Sequence, residues 1–273
     1  MMHVLAALDT SSSARGVLDT ALHVGRLTGT TVVAVHVRTG AAEPVDMIEA
    51  RCEEEGVALR VLSGDPGPIL IKALGGPEVA AAVIGGCARP TPTVAGACRV
   101  THAILERTST PVVVTPQARG TRGEIHRLLL PLEGSDVSSR AVLDQLVPLI
   151  TADVELEVLH VFTPDTVPAM LDQPAYSLDT LGKEFLSRHC PGADRIALRG
   201  GGVVDQVARV SVDDQVDLIV LTWSQSSSPR HAQVVRGVLE GSSMPVLLLP
   251  VQPPADSPAD TAAVHSTITL VDR

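Results

Sequence analysis

The chain repeats itself, and that repeat limits its architecture more than any other feature. Val4-Leu5-Ala6-Ala7-Leu8-Asp9-Thr10-Ser11-Ser12-Ser13 is an apolar run that ends in an acid and small hydroxyl residues. Leu128-Leu129-Leu130-Pro131-Leu132-Glu133-Gly134-Ser135 has the same shape, its acid 124 positions after the first. Helical spacing follows each run, with Val17, Leu18, Ala21, Leu22 and Val24 in one copy and Val142, Leu143, Leu146, Val147 and Ile150 in the other. The hydroxyls before these helices suit N-caps, because their oxygens accept from unpaired first-turn N–H groups. Thr31–Val37 and Val154–Val161 then close in the same His-Val pair, still 124 apart.

Beyond this point the second copy carries extra residues, around Thr163 to Thr180, which predict a flap or excursion. The match resumes at Val61-Leu62-Ser63-Gly64-Asp65-Pro66 and Ala197-Leu198-Arg199-Gly200-Gly201-Gly202, and then at the apolar strands Val79–Gly85 and Val216–Thr222. Both copies end in a helix, a proline, an apolar strand and a second proline: Pro111-Val112-Val113-Val114-Thr115-Pro116 and Pro245-Val246-Leu247-Leu248-Leu249-Pro250. Near-continuous β-branched and Leu strands alternating with helices predict parallel sheets covered on both faces. The fold class expected is therefore α/β, with two tandem doubly wound five-stranded sheets. The boundaries expected are a first domain over 1–117, a linker over 118–124, a second domain over 125–251 and a tail over 252–273.

Composition removes several functions. Aromatic residues are 1% of the chain, which leaves few platforms for stacking single-stranded bases, and a net charge of -10 repels nucleic acid and anionic membranes. No apolar stretch approaches the roughly 20 residues of a membrane span. The start of the chain reads as a first strand and not a leader, so the cytoplasm is expected. Cys52, Cys87, Cys98 and Cys190 form no C-x-x-C pair, and no metal is predicted.

The strand ending in Asp9 and hydroxyls, the His-Val strand ends, the Gly-Asp-Pro turn and the Pro-Val-Val-Val last strand together resemble the universal stress protein family, in its tandem form. The resemblance spans Met2 to Val251 and implies the adenine nucleotide alpha hydrolase-like fold. Family members divide into binders and non-binders of ATP or AMP, and the binders carry a loop G-x2-G-x9-G-[ST] after the fourth strand. Glycines there let backbone N–H groups close on phosphate ahead of a helix N-terminus. In the first copy Gly85 matches the first glycine, Ala88 stands at the second, and Cys98-Arg99 stand at the G-[ST] pair. In the second copy Thr222 and Gln225 replace the two glycines, the loop is about three residues shorter, and Glu133 replaces the acid that Asp9 keeps.

The resemblance therefore favours the first copy for a weakly held ATP or AMP, with Asp9 towards ribose or base, Val37 beside adenine, and Gly85, Gly86, Ala88 and Arg99 near phosphate. It also implies that the final strands, Val112–Thr115 and Val246–Leu249, pair antiparallel across a two-fold, leaving room for a further homodimer. A bland role as strand-end hydrogen-bonding residues suits His36 and His160, and a polar helix-capping turn suits the Ser-rich segment before Arg230 and His231. A low thiol pKa at the start of a helix would make Cys98 redox-sensitive, with Cys87 nearby. No Walker loop, nucleophile elbow or H-E-x-x-H is present. The function expected is a non-enzymatic stress-response regulatory module, with a ligand-free scaffold and a weak ATP hydrolase as the alternatives.

Overall fold

Runs of Val, Leu, Ile and Ala with no polar interruption make strands that need cover on both faces, and the computed structural model supplies it. It describes residues 1–40, 44–86, 95–116, 123–150, 153–162, 177–224 and 229–251; of the residues within helices and strands, the side chains of 95–99, 224 and 229–231 lie outside the description. The first half runs β1 (His3–Leu8), α1 (Ala14–Thr28), β2 (Thr31–Arg38), α2 (Asp46–Glu54), β3 (Ala58–Ser63), α3 (Pro66–Leu74), β4 (Val79–Gly85), α4 (Ala95–Leu105), β5 (Val112–Thr115). The second runs β6 (Arg127–Pro131), α5 (Asp136–Ala141), a π-helical turn (Val142–Leu146), α6 (Val147–Leu149), β7 (Glu155–Phe162), α7 (Leu178–His189), β8 (Arg195–Gly200), α8 (Val203–Asp213), β9 (Leu218–Ser224), α9 (Pro229–Gly241), β10 (Val246–Val251). Among the described residues no helix is long and apolar enough to cross a membrane.

Each half is a parallel sheet with the same internal order, and the two are one sheet of ten strands, β3-β2-β1-β4-β5-β10-β9-β6-β7-β8. The two five-stranded sheets expected from the sequence are joined where β5 meets β10 antiparallel, with Val114 opposite Val246, Val113 opposite Leu247 and Val112 opposite Leu248. Side chains alternate across this seam. Val113, Leu247 and Leu249 enter one apolar cluster with α1, α2, the α5–α6 helix and α7, while Val112, Val114, Val246 and Leu248 enter the other with α3, α4, α8 and α9. Equivalent helices thus share a face, which places the pseudo-two-fold axis normal to the sheet. A second tie crosses the halves: the Trp223 indole donates to the carbonyl of Leu105, the last residue of α4, at 3.0 Å.

Three local features depart from the sequence pattern. The helix expected after β6 is broken by a π turn where α1 runs unbroken for 15 residues. Pro148 explains this, since it has no N–H to return to Asp144 and its ring crowds that carbonyl. Gln145 braces the distorted segment by donating to Pro250 O at 2.7 Å. The excursion expected through Thr180 stops earlier, because Ser177 Oγ accepts from Thr180 N at 3.1 Å and caps α7; residues 163–176 lie outside the described residues, as do linker residues 117–122 and the tail. Ser135 caps α5 as its hydroxyl predicts, whereas Ser13 makes no side-chain cap on α1.

At the start of the second half's strands, charges gather around one buried carboxylate, Glu157. Arg127 meets Glu155 at 2.8 Å, and Arg195 meets Glu155 at 3.0 Å and Glu157 at 2.8 Å. Burial raises the pKa of the Glu157 carboxyl, against the pull of Arg195. The folded state therefore binds its proton more tightly than the unfolded chain, and stability falls as pH rises between the ordinary carboxylate range and the raised value. Urea midpoints measured across that window should show this slope, and Glu157→Gln should flatten it while Glu155 still holds Arg195. At the seam, Leu247→Ala should cost about 2–5 kcal/mol in chemical denaturation, with both halves lost in one transition.

Candidate functional site

Open α/β sheets bind ligands beyond the strand C-termini, at the point where the strand order reverses. That point is β1/β4 in the first half and β6/β9 in the second, and the antiparallel seam aims the two at opposite edges of the sheet.

In the first half the structure brings Asp9 and Gly85 to this point. Asp9 follows β1, exposed, and its Oδ1 accepts from the Ser11 hydroxyl at 2.6 Å and the Ser11 N–H at 3.1 Å. Ser11 Oγ also meets Ser13 Oγ at 2.6 Å. Gly85 closes β4 beside them, where a Cβ would lie 3.7 Å from Val17 and 4.0 Å from Ser13 Oγ. The hydroxyls expected to cap α1 instead hold the acid. Gly86 has a structural reason to be glycine: its N–H donates to Thr115 O at 2.7 Å, and a Cβ would stand 2.6 Å from that oxygen. Val37 is buried on β2 among Leu70, Ala82 and Ile84. Ala88 and the Arg99 side chain lie outside the described residues, as do Cys87, Cys98, Arg230 and His231 as side chains.

A cavity of about 120 Å³ opens at the equivalent point of the second half, the half that loop comparison disfavours. Pro131, Leu132 and Glu133 line it from the end of β6, Leu159 and Val161 from β7, and Leu221 and Thr222 from β9, with α8 and α9 over it. Its cause lies in Pro131. The neighbouring Leu132 N–H turns to Leu159 O of β7 at 2.9 Å, so the amide at 131 would face β9, and proline has none. Accordingly β6 and β9 pair at two positions only, Leu128 with Leu218 and Leu129 with Ile219, while β1, which has Ala7 at that place, pairs β4 at four.

Glu133 sits at the rim. Its Oε1 accepts from Ser135 Oγ and Ser138 Oγ, both at 2.6 Å, and Ser138 Oγ meets Thr222 Oγ1 at 3.0 Å. Ser138 stands where the first half has Ala14, and Thr222 where it has Gly85, so the two hydroxyls arrive as a pair. The described lining carries hydrocarbon, one carboxylate and one hydroxyl, and no cation. Such a slot suits an uncharged ring or a hydroxyl-bearing group better than a phosphate. Among the described residues no three His, Cys, Asp or Glu side chains gather as a metal site requires.

The loop bearing Glu133 is held by three rings, of which the sequence points only to His160. His160 Nδ1 meets Leu132 O at 2.8 Å, as His36 Nδ1 meets Leu8 O at 2.9 Å in the first half, the strand-end role expected of both. Only the second half adds His189, whose Nδ1 meets Ser139 Oγ at 2.9 Å, and Phe185 between the two histidines.

The sequence model of the universal stress protein family matches residues 124–250. Over these residues the chain is similar to the universal stress protein family. No curated protein matches it in sequence. Solved structures extend the shared fold over both halves. A universal stress protein from Archaeoglobus fulgidus DSM 4304 is 16% identical with a TM-score of 0.62, covering 91% of this chain and 98% of its own. A putative universal stress protein from Pseudomonas aeruginosa UCBPP-PA14 is 12% identical with a TM-score of 0.62, covering 92% and 94%. A universal stress protein solved in complex with cAMP matches 45% of this chain and 95% of its own at 22% identity, with a TM-score of 0.34. The family match thus falls on the half whose loop letters depart further.

Pro131→Ala should restore a donor towards β9. We expect the new amide at position 131 to exchange slowly in hydrogen-exchange experiments and the crevice to narrow; a fast-exchanging amide would show that proline does not hold it open.

Proposed function

We propose that the chain is a non-catalytic regulatory module of the universal stress protein type, acting in the cytoplasm, whose working site is the strand-end cavity of the second half. The observation that carries this is the Pro131 crevice with Glu133 at its rim. An apolar slot with a carboxylate at its mouth can enclose a base and accept from a ribose hydroxyl or an exocyclic amine. Its volume is below the roughly 300–1,000 Å³ of sites that bury a whole small molecule, so phosphates would stay outside and add little. Adenosine or AMP is therefore the ligand class, with ATP held weakly. Buried thiols at Cys52 and Cys190, both free, agree with a reducing compartment.

One observation favours a second reading, a scaffold without ligand. The Glu133–Ser138–Thr222 hydroxyl chain already satisfies part of the rim from within the fold. The Ser139 and His189 pair is buried and the Ser139 hydroxyl donates to Ser135 O at 2.8 Å, which is why hydrolysis is not part of the proposal.

Thermal shift and calorimetry with adenosine, AMP and ATP decide among these. Saturable binding abolished by Val161→Trp, a half-buried lining position, and kept in Gly85→Trp supports the second-half site. The reverse pattern moves the site to the Asp9 and Gly85 crevice of the first half. Absence of any shift, with no small molecule released on denaturation and mass spectrometry, leaves the scaffold. Phosphate release from ATP should stay at background.

A further inference from the structure

Helix α7 lies at the end of the stretch that lengthens the second half, and its inner residues grip the loop that carries the cavity's acid. Gly134, next to Glu133, has φ +89, and a Cβ there would stand 3.1 Å from Phe185 Cε2 and 3.7 Å from His189 Nε2. Below it the three rings form a column, with centroids 4.5 Å apart from His160 to Phe185 and 4.6 Å from Phe185 to His189. Phe162 meets His160 edge-on at 4.7 Å. Each end of the loop is tied to this column, Leu132 O to His160 and Ser139 Oγ to His189. The first half cannot build an equivalent, because residues 1–117 contain no Phe, Tyr or Trp.

We propose that α7 is a pH-sensitive clamp on the acid loop of the second-half cavity, with Phe185 and His189 as positioning residues: closed while His189 is neutral and loosened when it takes a proton, so that ligand held at neutral pH is released on acidification. The ligand part rests on the site proposed above; the clamp itself does not.

The groups facing His189 come from four elements. Arg188 on its own helix and His160 on β7 oppose a proton there, while Asp136 of α5 and Glu133 of the loop favour one. Burial is the largest influence, and the His189 pKa lies below the ordinary histidine value. The closed clamp thus binds a proton less well than an open one, and by linkage lowering the pH shifts the balance towards the open loop. Glu133 would lose its fixed place through Gly134, the residue the column holds.

Amide exchange of residues 132–139, measured by NMR on the unliganded full chain from about pH 7.5 to about 5.5 and corrected for intrinsic rates, tests the clamp directly. The expected result is a several-fold loss of protection on acidification in the wild type and none in His189→Phe, which keeps the ring packing but cannot be protonated. Phe185→Leu should lose protection at both ends of the range. Equal loss in the wild type and in His189→Phe, or no loss in either, overturns the clamp. Should His189→Phe fail to fold, the ring-proton titration of the wild type decides. His189 must titrate below the ordinary value with the midpoint of loop opening, and an ordinary midpoint overturns the proposal. Adenosine affinity over the same range separates the two claims. Exchange that depends on pH without adenosine binding removes the ligand site and keeps the clamp, whereas adenosine binding with pH-independent exchange removes the clamp alone.

Discussion

The antiparallel hydrogen bonding of β5 to β10 is the constraint on which the rest of the molecule depends. An isolated five-stranded half would expose the N–H and C=O row of its last strand, an invitation to pair with any other edge. Here each half supplies the other's missing neighbour, and Val113, Leu247 and Leu249 on one face and Val112, Val114 and Leu248 on the other seal the join. Because the pair is antiparallel, the two crevices face away from each other. The described lining of the second-half cavity comes from that half alone, so its site could change under a shared core.

The changes fall in a few places. Going from the first half to the second, Ala7 becomes Pro131, Asp9 becomes Glu133, Ala14 becomes Ser138, Gly85 becomes Thr222 and Gly86 becomes Trp223. The first opens a strand pair by deleting a donor. The third and fourth introduce two hydroxyls that meet each other and the longer acid. A hydroxyl alone at either position would be a buried polar group in search of a partner; together they are mutually satisfied. The last is tolerated because Trp223 reaches α4 at the far side of the seam, whereas a side chain at Gly86 would run into Thr115 O.

Most of the fold was legible in the sequence, since buried parallel strands announce themselves as unbroken apolar runs and the repeat doubles every signal. Val79–Gly85 and Val112–Thr115 are strands over those residues, and the other strands shift by one to three residues, with β10 running on through Pro250 to Val251. The π turn was hidden because a proline near a helix end is common and its effect depends on whether Gln145 finds a partner in β10. The candidate site was legible only in part. Comparing loop letters with the phosphate motif directs attention to Gly85 and Gly86, while the described cavity depends on a proline inside a strand and on which neighbour each amide faces, a property of pairing and not of composition. Phe185 and His189 could not be placed either, because the stretch before α7 has no counterpart in the first half to set its register.

Trp223 is the chain's one tryptophan, beside the cavity-lining Thr222 on β9 and bonded across the two-fold to α4. Indole emission shifts to longer wavelength as the ring meets water, so the molecule carries a built-in optical gauge of the contact between its halves. Loosening of the join would register in the colour of that one side chain.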